Sequence, residues 1–133
     1  MKLSEIYKIA DEIAPKRLSD EYCARYNAYD NSGILVDTGA DIKGVLFTLD
    51  LTFASIDRAV EIGANLIICH HPAIYGKISD LRIDDERLTG SKIVRCLTQG
   101  ISVIAMHLNL DAVVGGIDDS LMQGIALAAG EDF

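Results

Sequence analysis

Residues 44–69 read GVLFTLDLTFASIDRAVEIGANLIIC. "GVLFTLD" is an apolar run of strand length, and "NLIIC" is another. Between them, "TFASIDRAVEIG" places Phe53, Ile56, Ala59 and Val60 on one helical face. Thr52 is suited to cap that helix, and Gly63 to stop it. Strand, helix and strand in this order make a β-α-β unit, with two parallel strands and a right-handed crossover.

The alternation continues outward from this stretch. "SKIVRCLTQG" predicts a helix ending at Gly100, and "ISVIAM" (101–106) a third buried strand. A last helix, capped by Asp118, carries Leu121, Met122, Ile125, Ala128 and Ala129 and stops at Gly130. Toward the N-terminus, Ile34–Val36 and Lys43–Leu49 read as strands joined by the turn "DTGAD". Residues 16–33 are polar and turn-rich, a loop with room for one helical turn. Leu3, Ile6, Ala10 and Ile13 mark an N-terminal helix with Ser4 as its cap, and Pro15 ends it by disfavouring helical geometry at Ala14. There is no internal repeat, low-complexity tract or linker. The expectation is one α/β domain over residues 1–133, a largely parallel sheet of β-α-β units flanked by helices.

Composition bounds the function. Half of the 133 residues are apolar, and the mean hydropathy of +0.23 suits a sheet buried on both faces or a surface covered by a partner. No apolar run approaches the roughly 18–20 residues of a membrane helix. Glu5, Asp11 and Glu12 interrupt the N-terminal apolar pattern, unlike a signal peptide. Cys23, Cys69 and Cys96 are odd in number and form no C-x-x-C pair, so no disulfide framework is expected and the cytoplasm is the default compartment. A net charge of −8 without a basic stripe argues against nucleic-acid binding.

In open parallel sheets the ligand site lies beyond the C-terminal ends of the strands. Asp50-Leu-Thr52 follows the first strand of the alternating run, His70-His71 the second, and His107-Leu-Asn-Leu-Asp111 the third. All three histidines of the chain therefore converge on one edge, with two aspartates beside them. Imidazole and carboxylate donors suit zinc, iron, manganese, cobalt or nickel. Adjacent histidines on a continuing strand would point to opposite faces. Pro72 turns the chain after His71, which lets the two imidazoles diverge toward two neighbouring metals. Asp111, in the Gly-rich stretch "DAVVGG", is a natural third ligand.

Blander readings stand beside this one. The histidine pair also reads as a solvated turn, and His107 as a hydrogen-bonded strand end. Asp50 and Thr52 fit helix-start residues. Cys69 reads as a core thiol facing away from His70.

Four stretches sharpen the choice: "DNSGIL" (30–35), "TLDLT" (48–52), "GANLIICHHPAIY" (63–75) and "HLNLDAVVGGIDD" (107–119). In order and spacing they resemble the Nif-three-like (NGG-interacting-factor-three-like) family, whose members are often called GTP cyclohydrolase 1 type 2 homologues. The resemblance implies an α/β domain whose two divalent metal ions are held partly by His70, His71 and Asp111. It makes His107 a candidate for proton transfer close to the site, and leaves the role of Asp50 open. It also implies self-association, commonly as toroidal hexamers with the metal sites facing the interior. Leu108 stands where the family usually has threonine, which removes a hydroxyl but no ligand. Family chains are about twice as long, and an H-x-x-x-E motif near their C-terminus completes the metal shells. The match here covers their N-terminal half, so a second polypeptide, a longer parent chain or water would supply the remaining ligands.

Two functions follow from the resemblance. One is a dinuclear metal-dependent hydrolase acting on a small-molecule or nucleotide substrate. The ions (zinc, iron or manganese) would activate water, with His107 moving protons. The family's named reaction, hydrolytic opening of the GTP imidazole ring, is one instance; the sequence carries no phosphate-cradling glycine loop of its own. The alternative is a non-catalytic metal-binding or regulatory module acting as an oligomer.

Overall fold

A computed structural model describes residues 1–132. In chain order the elements are α1 (Leu3–Ile13), α2 (Lys16–Tyr26), β1 (Gly33–Val36), β2 (Val45–Thr48), α3 (Phe53–Glu61), β3 (Leu66–Cys69), α4 (Thr89–Thr98), β4 (Ser102–Ala105), α5 (Leu108–Ala112) and α6 (Ile117–Ala129). The four strands form one sheet in the order β1-β4-β3-β2. β2 runs parallel to β3 and β3 parallel to β4, while β1 pairs antiparallel with β4. The α/β class and the β-α-β units are as the alternation predicts.

Side chains along β3 and β4 alternate between two cores, as a pleated strand requires. Ile67, Cys69, Val103 and Ala105 pack with Ile56 and Ala59 of α3 and with Ile93 and Cys96 of α4. Leu66, Ile68, Ile104 and Met106 pack on the other face with Leu3 and Ala10 of α1, Ala14 and Ile42. Both central strands are buried throughout, which accounts for the high apolar content.

The polar N-terminal stretch differs from its expectation. Residues 16–26 form a full eleven-residue helix, α2, although only Ser19 is buried on it. It packs against α5 and is supported locally: Pro15 precedes its first residue, the Asp11 carboxylate accepts from the Lys16 amide at 2.7 Å, and Arg17–Glu21 and Lys16–Asp20 pair across one turn. A helix without an apolar stripe gives no periodic signal. "DTGAD" is not a hairpin turn, because β1 and β2 lie at opposite edges of the sheet. Residues 37–44 instead cross the sheet end. They are pinned there by Thr38 N–H to Ser102 Oγ (3.2 Å) and Lys43 N–H to Asn65 Oδ1 (2.7 Å).

Two caps also move. α1 begins after Lys2, whose amide donates to Glu5 Oε2 at 2.7 Å, so Ser4 is inside the helix. α6 begins after Gly116, with Asp119 accepting from the Gly115 amide at 2.6 Å, so Asp118 lies in its first turn. Thr52 does cap α3: its Oγ1 accepts from the Ser55 amide at 3.0 Å, and Ser55 Oγ accepts from the Thr52 amide at 2.9 Å.

On α3 the buried face runs through Ser55, Ile56 and Ala59, and Val60 is turned to solvent. Ile56→Ala should therefore cost about 2–5 kcal/mol, and Val60→Ala less than about 0.5 kcal/mol, in urea unfolding. Equal losses would mean that the helix is rotated from the face described.

Candidate metal centre

The parallel ladder does not stop where the strands do. His70 N–H donates to Thr48 O at 3.1 Å and His71 N–H to Leu49 O at 3.0 Å, while Met106 N–H donates to Cys69 O at 3.0 Å. The backbone of the histidine pair is thus held by β2 on one side and by the end of β4 on the other. His107 follows Met106 directly. One ring nitrogen of each of His70, His71 and His107 lies within 4.8 Å of the others. The ring centroids are 5.1–5.8 Å apart.

Each imidazole is held at Nδ1. His70 Nδ1 lies 2.8 Å from Met106 O, His71 Nδ1 2.7 Å from Asp50 Oδ1, and His107 Nδ1 2.7 Å from Asp30 Oδ1. An Nδ1–H donating to an oxygen leaves the Nε2 lone pair as the free donor of that ring. The same arrangement orients histidine ligands in metal sites and raises their basicity. Asp111 joins the cluster from α5, where its Oδ1 is 3.3 Å from His70 Nε2. The stretch expected as a Gly-rich loop opens with this short helix. The Asp111 amide donates to His107 O at 3.0 Å, and Asn109 Nδ2 ties the helix to Ala14 O at 2.7 Å. Three imidazole nitrogens within 4.8 Å of one another, with the Asp111 carboxylate beside His70, are donors of the kind a borderline divalent cation takes.

The sequence reading missed Asp30 as a site residue, although it lies in the quoted "DNSGIL". Its side chain is 1% exposed. Its second oxygen accepts from both Ser19 Oγ and Ser32 Oγ at 2.6 Å, and Ser32 Oγ also accepts from the His107 amide at 3.0 Å. Burial alone would raise its carboxyl pKa. The hydrogen bonds from Ser19, Ser32, His107 and the Asn31 backbone outweigh that and hold it at about 2, below the usual 3.8. No local signal could have shown this pairing, because Asp30 and His107 are 77 residues apart. Asn31 beside it donates to Ile74 O at 2.7 Å and fastens the loop after the histidine pair. Cys69, just before the pair, packs into the core with Ile56, Ala59, Ile93 and Cys96, and burial pushes its thiol up to about 11.

The Duf34/NIF3 (NGG1p interacting factor 3) family model matches residues 1–133. GTP cyclohydrolase 1 type 2 homologs of Clostridium acetobutylicum and Clostridium perfringens are 33% and 36% identical, each over 92% of this chain. The chain covers 42% and 44% of those proteins, less than half the length of the curated relatives it matches. Among solved structures, Staphylococcus aureus hypothetical protein SA1388 superposes with a TM-score of 0.78 at 31% identity, over 92% of this chain and 38% of that one. Reduced HcgD from Methanocaldococcus jannaschii gives 0.74 at 26% identity, over 92% and 46%.

Because the Asp30 carboxyl is depressed in the folded state, its contribution is complete above pH about 4 and lost as the pH falls toward 2. Asp30→Asn should therefore be less stable than the wild type at pH 6, and the gap should narrow steadily on acidification from pH 4. Thermal melts across that range check it; a gap independent of pH would refute the ionised, hydrogen-bonded state described.

Proposed function

This chain belongs to the Duf34/NIF3 family, and we propose that it is a divalent-metal-binding protein acting in metal-dependent hydrolysis. The observation that carries the reading is the trio of imidazoles, each held at Nδ1 by an oxygen and each with one ring nitrogen within 4.8 Å of the others. His70, His71 and Asp111 are the proposed ligands, for zinc, iron or manganese, two ions per site. Such ions would supply a lowered pKa for water and polarisation of an electrophile. His70 is oriented by the Met106 carbonyl and His71 by Asp50, so neither ring need reorganise on binding. His107 is the proposed proton carrier: Asp30 holds Nδ1 and orients the ring, while Nε2 gives up or takes the proton.

The names of the relatives support a substrate of the GTP type, with hydrolytic ring opening as the reaction. Three protein ligands fall short of two complete four-coordinate shells. The rest would come from polypeptide equivalent to the part of the relatives that this chain does not span, or from a neighbouring copy. Self-association is supported by an apolar groove of about 620 Å³ between α1 and β2 that reaches His70, and a hexamer is the order that the family resemblance implies. Ile9, Ile13, Phe47 and Leu49 stand exposed along it, with Phe47 73% accessible. The donor shortfall also favours a second reading, a metal-binding module without catalysis. Three free thiols and no helix long and apolar enough to cross a membrane, among the described residues, support action in the cytoplasm.

Metal analysis of the purified protein should find bound divalent metal that the double variant His70→Ala, His71→Ala loses; equal content in both would remove the chemical basis of either reading. His107→Ala should keep its metal but lose roughly 100-fold or more in hydrolysis of GTP or a simple phosphoester. Loss of metal instead would make His107 a ligand. Turnover unchanged by Asp111→Ala would refute the site, and metal binding without turnover would leave the non-catalytic module.

A further inference from the structure

Beside the histidine cluster lies a second hollow of about 340 Å³, and its character is polar. It shares Asp50 and His71 with the site just described, and Thr52, Thr89 and Lys92 also line it. A group bound there would sit one side chain away from the proposed metal ligands.

Lys92 is the unusual member. Five basic side chains make no ion pair among the described residues: Lys8, Arg25, Lys43, Lys77 and Lys92. Four of them are exposed, and Lys92 alone is half-buried. In a chain with 20 acidic and 12 basic residues, a half-buried lysine that lines a polar hollow and pairs with no carboxylate is free to take an anion. The one carboxylate in the lining, Asp50, is turned to His71 at 2.7 Å rather than to Lys92. Thr52 Oγ1 accepts from the Ser55 amide, which leaves its own proton free to donate. The first amide of α3 is already taken by Glu86 (Phe53 N–H to Oε1, 3.3 Å), so attraction for an anion rests on the lysine and the hydroxyls, not on the helix end.

We infer that this hollow is the anion subsite of the substrate, in which Lys92 with the Thr52 and Thr89 hydroxyls holds a phosphate group. The inference rests on the metal-centred reading above and assigns residues of this chain to the phosphate end of that site's substrate. Phosphate suits the chemistry better than carboxylate. A single ammonium is a point charge that hydroxyls can surround in three dimensions, whereas planar carboxylates are matched by the arginine fork that this lining lacks.

Inorganic phosphate and acetate, titrated by calorimetry into the metal-loaded protein, test the inference. The wild type should bind phosphate at least about tenfold more tightly than acetate. Lys92→Gln should weaken phosphate by at least about tenfold, with metal content and melting temperature unchanged, and Lys92→Arg should recover most of the loss. Phosphate affinity indifferent to Lys92, or acetate bound as well as phosphate, overturns the subsite. If the protein takes up metal but ignores Lys92, the subsite fails and the metal reading stands. If it takes up no metal yet binds phosphate through Lys92, the metal reading fails and the subsite stands.

Discussion

Everything distinctive about this molecule depends on three parallel strands ending in step at one edge. β2, β3 and β4 pair in register, and the ladder runs on past the strands to His70, His71 and Met106. A parallel ladder forces successive strand ends to the same side, because each crossover returns the chain to the starting edge. Asp50, His70, His71 and His107, as much as 57 positions apart, are delivered to one place by the backbone ladder. Burial of β3 and β4 on both faces makes that edge rigid, since neither strand can shift without emptying a core.

On that scaffold, the second layer of contacts decides what the imidazoles can do. Three oxygens of different origin, a backbone carbonyl, a surface carboxylate and a buried one, each hold an Nδ1. The buried one is itself satisfied by two serine hydroxyls, so its charge is stable without leaving the protein interior. Asp30 comes from the loop after α2, an element with almost no apolar face of its own. The polar N-terminal segment thus supports the site rather than the core. The apolar groove and the polar hollow open on opposite sides of the cluster, one reaching His70 and the other His71.

Much of this was legible in the residues. Apolar runs of strand length, the helix between Thr52 and Gly63, and the positions after each strand identified the β-α-β units and the convergence of the histidines. Asp111 was legible because it follows His107 within one helical turn. Illegible were those features whose partners are remote or whose pattern is not hydrophobic. α2 packs against α5 and is supported by a preceding proline and charge pairs, with no apolar period of its own. β1 joins β4 across the sheet rather than β2 beside it in sequence, since pairing is settled by burial of whole faces and not by turn residues.

By itself, then, the sequence determined the class of fold, the strand ends and the chemical kind of donor gathered there, because periodicity and the rules of parallel sheets are local or nearly so. Only the tertiary structure decided which oxygen orients each imidazole, where Asp30 ends up, and that Lys92 is left half-buried without a counter-charge. Those outcomes depend on distances between residues far apart in the chain. Such distances are fixed by packing two cores against one sheet, and no pattern within a short window contains them.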